Sequence, residues 1–282
     1  MTCVSVPTMT SILGMTGIFG DLFAFEFMRR AFLAALCVSV MTPMIGQVIV
    51  LRRMSTVGDA LSHTGLAGVA IGLAFGFNPV AGAFAAAVCT GLALEIIRRH
   101  FSRYAELSVS ITLSLGVGLA AIFSAMVPGV AFFGFLFGSI VAISDGELYA
   151  IAGLSFAVVA ITLFLYRPLL HITFDEESAK AAGIPVNRIN LIFTILTAVT
   201  VAVAARTVGA LIVSSMMVIP VACAMQISRG YKENLIFSVL FATLFTVSGL
   251  VLSFYFDLRP GGTIVLVGII VLMITILLKQ IK

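Results

Sequence analysis

The stretch VGDALSHTGLAGVAIGLAFGF, residues 57–77, combines the length and apolar character of a membrane span with two ionisable side chains, Asp59 and His63. Ionisable groups at membrane depth cost several kcal/mol, so they face a protein interior or a water path and mark ion or substrate routes. The two residues are four positions apart. A helix therefore places both on one face, one turn apart, where an oxygen and a nitrogen can bind the same ion.

The composition of the whole chain is typical of a helical membrane protein. Of its 282 residues, 61% are hydrophobic and only 10% are charged. A soluble domain carries about a quarter charged residues, and a membrane β-barrel shows alternating segments of about ten residues instead of continuous apolar runs. The predicted fold class is an all-α polytopic membrane protein of the cell (inner) membrane, in contact with lipid.

Apolar segments of membrane-spanning length recur along the sequence and predict about 8–10 transmembrane helices. The nine segments are residues 31–51, 57–77, 80–97, 107–127, 148–166, 189–205, 208–227, 235–256 and 263–278. A shorter block, residues 130–143, contains Gly134 and Gly138 and predicts a re-entrant half-helix or a short, tilted span. Residues 1–26 do not resemble a cleaved signal peptide, and we expect this N-terminal segment to be extracytoplasmic or interfacial.

Basic residues in the short loops predict the orientation of the spans. They cluster at residues 52–53, 98–103, 167–188, 229–232 and 279–282. Nine crossings with a re-entrant 130–143 segment place all five clusters in the cytoplasm, as the positive-inside rule requires. Arg29 and Arg30 are the exception, because they then lie outside. The net charge of +4 is small and confined to such loops, so we expect no nucleic-acid partner.

The longest polar interruption, residues 167–190, is predicted to hold a short cytoplasmic helix. Its centre carries an N-cap residue, acidic residues for the first turn and helix-terminating residues. In order these are Asp175, Glu176 with Glu177, Gly183 and Pro185. A solvated loop is one interpretation. The other is a helix that docks onto a cytoplasmic partner, because a short capped helix transmits force where a flexible loop does not.

Several motifs that would indicate an enzyme are missing from the sequence. There is no P-loop motif, no HExxH and no G-x-S-x-G. Any ATP must then be handled by another chain, and we do not expect this chain to be an enzyme. The four cysteines lack CxxC spacing, so no thiolate metal site is predicted. We expect no permanently bound cofactor.

Two interpretations of Asp59 and His63 stay open on the residues alone. The first is an internal ion pair or hydrogen-bonded pair that tolerates burial, helped by Ser55 or Ser62. The second is a transition-metal site, because imidazole and carboxylate groups bind zinc, manganese and iron. One Asp and one His are too few for tight binding, but a two-fold dimer would supply two of each around a central ion.

A second stretch, RTVGALIVSSMMVIP at residues 206–220, is rich in small and hydroxyl residues and contains a proline. Such a segment allows close helix packing and a local break at the proline. The alternative is that it lines a pore or forms a gating kink. The residues considered for the pathway or its gate are Ser62, Gly209, Ser214, Ser215 and Pro220.

Four stretches together resemble the membrane permease subunits of ABC importers for zinc, manganese and iron(II). They are LRRMSTVGDALSHTGLAGVAIG (51–72), FDEESAKAAGIPV (174–186), VGALIVSSMMVIPVA (208–222) and DLRPGGTIVL (257–266). The resemblance covers nearly the whole chain. It implies an ABC importer transmembrane domain over residues 27–282.

The resemblance also implies partners and roles. It implies a homodimeric or pseudo-dimeric pathway, two cytoplasmic ATPase subunits and an extracytoplasmic metal-binding protein. Asp59 and His63 would bind the transported ion, and residues 174–185 would form the coupling helix that fits a cleft on the ATPase. The coupling residues are Phe174, Asp175, Glu176, Glu177, Ala179, Gly183 and Pro185.

The resemblance favours zinc over manganese as the transported ion. Ala67 stands where several manganese-type members have a proline, and the continuation GVAIG, residues 68–72, is more similar to zinc members. The main alternative function is a proton-coupled secondary metal-cation transporter, in which Asp59 and His63 form the relay and no ATPase is needed. Copurification with an ATP-hydrolysing subunit separates the two functions.

Overall fold

The computed structural model describes residues 26–100, 105–127, 129–138 and 143–280. Within these ranges the chain forms twelve α-helices and no β-strand. They are α1 (Glu26–Leu51), α2 (Val57–Phe75), α3 (Pro79–His100), α4 (Ala105–Ser124), α5 (Gly129–Phe137), α6 (Asp145–Phe164), α7 (Tyr166–Phe174), α8 (Glu176–Ala181), α9 (Val186–Thr207), α10 (Val213–Ile227), α11 (Tyr231–Phe256) and α12 (Pro260–Gln280). The predicted interfacial segment at residues 1–25 lies outside the described residues.

The helices confirm the predicted polytopic all-α class. Among the described residues, eight helices are long and apolar enough to cross a membrane, and α10 is a shorter apolar helix of 15 residues. These nine helices overlap the nine predicted segments. The predicted re-entrant block, residues 130–143, overlaps α5, and its residues 139–142 lie outside the described residues. The nine residues of α5 span about 14 Å at 1.5 Å per residue, half of a hydrocarbon core of about 30 Å.

Contacts between helix ends define two faces of the bundle. At one end, which we call the inner face, Arg52 hydrogen-bonds Glu176 and Asn190. At the other end, the outer face, Glu147 and Arg206 form an ion pair at 3.1 Å. We call the first end inner because it carries the basic loop at Arg52, which the positive-inside rule assigns to the cytoplasm.

The exception at Arg30 has a structural explanation. Arg30 lies at the outer face near the start of α1, where it pairs with Asp145 at 2.7 Å and with Glu26 at 2.6 Å. Asp145 opens α6 after the outer connection. The two carboxylates neutralise the positive charge of Arg30.

Helix α2 lies at the centre of the bundle, in contact with α3, α4, α5, α9 and α10. Glycines bring its neighbours close: a Cβ atom on Gly68 would lie 2.7 Å from the carbonyl carbon of Gly82 in α3. A Cβ atom on Gly116 of α4 would lie 2.8 Å from the amide nitrogen of Thr64. Lipid tails give apolar helices no hydrophobic drive to associate, so close backbone approach of this kind supplies the packing energy.

The chain leaves the helical path between α9 and α10, and α5 lies against that break. The amides of Ala210 and Leu211 donate to the carbonyls of Phe135 and Leu136, at 3.2 and 3.3 Å. At membrane depth, irregular backbone is tolerated only where protein groups satisfy it. The amides in the break and the carbonyls at the C-terminal end of α5 therefore meet each other's need for a hydrogen-bond partner.

Two glycines make this contact possible. Gly138 follows α5 with φ of 77°, and Gly209 lies in the break with φ of 107°. A Cβ atom on either glycine would lie 2.6 Å from the amide nitrogen of the other. Both positions therefore require glycine for conformation and for space.

Two arginines at the outer face contact aromatic rings of α5. Arg206 lies over the ring of Phe135, with 5.3 Å from its guanidinium carbon to the ring centroid, and Arg259 lies over Phe137 at 4.4 Å. Such cation–π contacts fix the ring positions. Because Arg206 also pairs with Glu147 of α6, α5 is linked to both α9 and α6.

Two predicted details of the helices are wrong, and a third is incomplete. Helix α10 runs through Pro220 without interruption, and the break lies earlier, at residues 208–212, because Gly209 adopts a left-handed conformation there. The polar segment 167–190 holds α7 as well as α8. Pro185 does not end α8 but precedes the first turn of α9, where a missing N–H costs nothing.

Replacing Gly138 by alanine should destabilise the protein by about 1–3 kcal/mol, because the new methyl group meets the backbone at Gly209 and the positive φ becomes strained. The measurement is thermal unfolding in detergent, followed by far-UV circular dichroism. Gly134→Ala, within α5, is the control, since a Cβ atom there meets open space. Equal unfolding temperatures for the two variants would contradict the proposed contact.

Candidate functional site

Asp59 and His63 lie in the first two turns of α2, near the inner face. From Val57 to Ala70 they are the two residues of this helix that are not buried. Their spacing places both side chains on the same side of the helix. The first-turn position suits the Asp59 carboxylate, because the N-terminal end of a helix carries a partial positive charge.

The side chains of Asp59 and His63 have no partner in the described part of the chain. Neither side chain forms a hydrogen bond or ion pair with another described residue. The internal pair considered from the sequence, including the help of Ser55 or Ser62, is thus not seen. Among the described residues there is also no group of three or more His, Cys, Asp or Glu side chains that could hold a metal ion.

Neighbouring helices cover some parts of α2 around Asp59 and His63 more closely than others. Ser62, only 3% exposed, lines a small cavity with residues of α3, α5 and α9, and its hydroxyl has no hydrogen-bond partner among the described residues. Toward the outer face, Leu66 and Ala67 join an apolar cluster with Phe135 of α5. Helix α5 therefore covers the outer part of α2, while the turns with Asp59 and His63 stay accessible.

The other residues predicted for a pathway are divided between two places. Ser214 packs beside the first turn of α2, since a Cβ atom on Gly58 would lie 3.4 Å from its Cα atom. Ser215 and Pro220 line a cavity with residues of α11 and α12 instead. Gly209 lies in the break against α5. The structure thus brings Ser62 and Ser214 to α2 near Asp59, and places Ser215 and Pro220 elsewhere.

Helix α8 has a cap at its N-terminus, as predicted. Asp175 is extended, with φ of −151°, and its carboxylate accepts hydrogen bonds from the amides of Glu177 and Ser178 at 3.0 and 3.1 Å. The hydroxyl of Ser178 donates to the same carboxylate. These hydrogen bonds, first of all the one from the Ser178 hydroxyl, hold the pKa of Asp175 below its ordinary value.

The C-terminal end of α8 is also closed, and Gly183 is the predicted stop. Gly183 has φ of 80°. Its amide donates to the carbonyl of Lys180, and the amide of Ile184 donates to the carbonyl of Ala179. This is a Schellman motif, which satisfies the last carbonyls of the helix. Two caps give this six-residue helix a defined shape.

The predicted coupling residues have unequal access to a partner. The Phe174 ring is 70% exposed and touches Tyr231 on one edge, with 6.3 Å between ring centroids. Glu177 is exposed, whereas Ala179 is buried and anchors α8 to the bundle. A partner at the inner face can therefore contact Phe174 and Glu177 directly.

Arg52 connects α8 to two long helices, which the sequence did not indicate. One guanidinium nitrogen, Nη2, lies 3.0 Å from Oε2 of Glu176, and the other, Nη1, donates to Oδ1 of Asn190 at 3.0 Å. Glu176 also pairs with Lys180 at 3.0 Å. Burial raises the pKa of Glu176, but the Lys180 hydrogen bond and the Arg52 charge outweigh it and lower the pKa below its ordinary value.

These charged residues line a cavity of about 540 Å³ at the inner face. It lies between α8, the connection from α1 to α2 and the end of α3, and Glu95 and Arg98 form an ion pair of 2.9 Å in its wall. The sequence signal for Arg52 was its place just before α2. This place indicates only topology, because a contact 124 residues away in sequence leaves no local pattern.

Comparison with known proteins identifies a family. A family model described as "ABC 3 transport family" matches residues 24–279. The chain is similar to the "probable metal transport system membrane protein" of Treponema pallidum, at 37% identity over 91% of this chain and 97% of the relative.

Other relatives are named for specific metals. They are the manganese transport system membrane protein MntC of Halalkalibacterium halodurans, 32% identical over 90% of this chain and 88% of the relative, and the high-affinity zinc uptake system membrane protein ZnuB of Haemophilus influenzae, 30% identical over 86% and 94%. A solved structure of PsaBC from Streptococcus pneumoniae in complex with Fab superposes with a TM-score of 0.82 and 27% identity, covering 93% of this chain and 95% of that chain.

Gly116→Ala should disturb the wall beside His63, because the added methyl group meets the backbone at Thr64 and forces α4 away from α2. We expect a loss of about 1–3 kcal/mol in stability and faster carbethoxylation of His63 by diethyl pyrocarbonate, followed by mass spectrometry. Gly118→Ala in the same helix is the control, since its Cβ atom meets open space. An unchanged rate at His63 in Gly116→Ala would contradict the packing described here.

Asp175→Ala should loosen the first turn of α8, since loss of an N-cap costs about 1 kcal/mol. The amides of Glu177 and Ser178 should then exchange with deuterium several-fold faster, as measured by mass spectrometry on the intact protein. Asp175→Asn keeps an N-cap of similar strength and should exchange at nearly the wild-type rate. If both variants exchange like the wild type, the carboxylate does not cap this helix in solution.

Proposed function

Because the chain belongs to the ABC 3 transport family, we propose that it is the permease subunit of an ATP-driven importer of divalent transition-metal ions. As a member of this family it is a multi-pass subunit of the inner membrane, with ATP hydrolysis on a separate subunit. The observation that carries the metal proposal is the position of Asp59 and His63. They are unpartnered among the described residues and accessible on an otherwise buried part of α2.

The ligand set supports a site shared by two copies of the chain. Zinc takes about four nitrogen, oxygen or sulfur ligands, and one carboxylate with one imidazole supplies only part of that number. Two copies related by a two-fold axis would place two Asp59 and two His63 side chains around one ion. The ion would in turn neutralise carboxylates that are costly to hold unpaired in apolar surroundings.

The two faces of the bundle suit the two groups of partners. Helix α8, capped at both ends and presenting Phe174 and Glu177, would enter a cleft on one of two cytoplasmic ATPase subunits. The outer face, where α5 lies, would receive the ion from an extracytoplasmic metal-binding protein. ATP binding and hydrolysis would then switch the dimer between outward-facing and inward-facing states around Asp59 and His63.

For the transported ion we favour zinc, with manganese next. Ala67 and the GVAIG sequence that follows it support zinc, and the relatives include proteins named for each metal. The ligands themselves do not decide, because both ions accept nitrogen and oxygen donors. Uptake measured for zinc and manganese in parallel therefore tests the metal separately from the mechanism.

Asp59→Asn and His63→Ala should abolish ATP-dependent metal entry into vesicles that hold this chain and its ATPase, with the binding protein outside. Uptake at limiting metal should fall about 100-fold or more, since even outer-shell partners of a metal ligand change affinity by about 10–100-fold. His171→Ala is the control, because His171 is an exposed histidine on α7. Wild-type uptake by His63→Ala would contradict the assignment of His63 as a metal ligand. Metal entry without ATP would favour a proton-coupled carrier.

A further inference from the structure

We propose that Arg52 is a positioning residue that transmits movement of α8 to the metal-binding end of α2. The inference rests on the proposed function, in which an ATPase moves α8. The contacts of α8 are mainly with its sequence neighbours α7 and α9. Arg52 adds a side-chain link from α8 to α1, through the hydrogen-bonded ion pair with Glu176.

The geometry of Arg52 suits a mechanical role. Its side chain is only 10% exposed, and its planar guanidinium binds Glu176 of α8 and the buried Asn190 of α9 at the same time. A rigid fork of donors fixes direction as well as distance, whereas a lysine ammonium on a flexible stem does not. A shift of α8 would therefore displace the end of α1 in a defined direction.

Backbone hydrogen bonds constrain the connection from Arg52 to α2. The amides of Arg53 and Met54 donate to the carbonyls of Val50 and Ile49, and Arg53 adopts a left-handed conformation with φ of 59°. These two hydrogen bonds form a Schellman motif at the end of α1. The amide of Val57 then donates to the carbonyl of Met54, where α2 begins. A displacement at Arg52 is thus passed through hydrogen-bonded turns to the turn that holds Asp59.

Stability alone would not reveal this role. Glu176 is 37% exposed and also pairs with Lys180, and ion pairs at such sites add little to folding stability. The expected effect is on coupling, measured as the number of metal ions that enter per ATP hydrolysed. A residue with a merely structural role would lower the amount of active complex and reduce both rates together, which leaves this ratio unchanged.

The experiment uses the whole transporter in vesicles, with its ATPase and binding protein, and measures ATP hydrolysis and entry of zinc or manganese together. Arg52→Gln and Glu176→Gln should each lower the ratio severalfold, because ATP hydrolysis continues while the link from α8 to α2 is broken. The double variant should be no worse than Arg52→Gln, because both changes break one link. Arg52→Lys should recover part of the ratio, since it keeps the charge but not the two-pronged contact.

Arg53→Gln is the matched control. Arg53 is the neighbouring, exposed arginine, and its side chain forms no ion pair with another described residue. A change to Gln keeps the Arg53 backbone amide that donates to Val50, so it removes the charge alone. Its ratio should equal that of the wild type, and an equal loss in Arg53→Gln would overturn the proposal by showing a general charge effect. A wild-type ratio in Arg52→Gln overturns it as well, while the proposed function stands. A wild-type complex without ATP-dependent metal entry would instead refute the proposed function.

Discussion

This structure depends on one constraint: backbone N–H and C=O groups inside an apolar medium must have hydrogen-bond partners. A bilayer offers no water to unpaired N–H and C=O groups, so a chain that leaves the helical path must find partners within the protein. The break between α9 and α10 meets this requirement through two amide–carbonyl hydrogen bonds to α5. Those bonds in turn fix α5 over the outer part of α2, and so leave access to Asp59 and His63 at the inner end.

The same constraint applies to Asp59 and His63, the residues proposed to bind the transported ion. An ionisable side chain on a central helix is tolerated where protein, water or an ion compensates it. The structure provides no protein partner for Asp59 or His63 among the described residues, although it provides partners for other ionisable side chains such as Arg30, Arg52 and Arg206. In the proposed function, the transported ion would compensate Asp59 and His63.

Local patterns were predictable from the sequence and long-range contacts were not. Apolar segments gave the spans, and Asp175 and Gly183 gave both ends of α8, because capping depends on neighbours within a few residues. The break at Gly209 was attributed to Pro220, since a proline is a visible signal whereas the left-handed turn at Gly209 depends on contact with Gly138. The link from Arg52 to Glu176 joins segments that are distant in sequence, so no local or periodic pattern predicts it.

The close glycine contacts around α2 limit where a further metal ligand could be added to the proposed site. A new ligand on α3 at Gly82 or on α4 at Gly116 would need room that the neighbouring backbone of α2 occupies. A further ligand for the proposed site would therefore lie on the accessible side of α2 itself or on a surface that faces it.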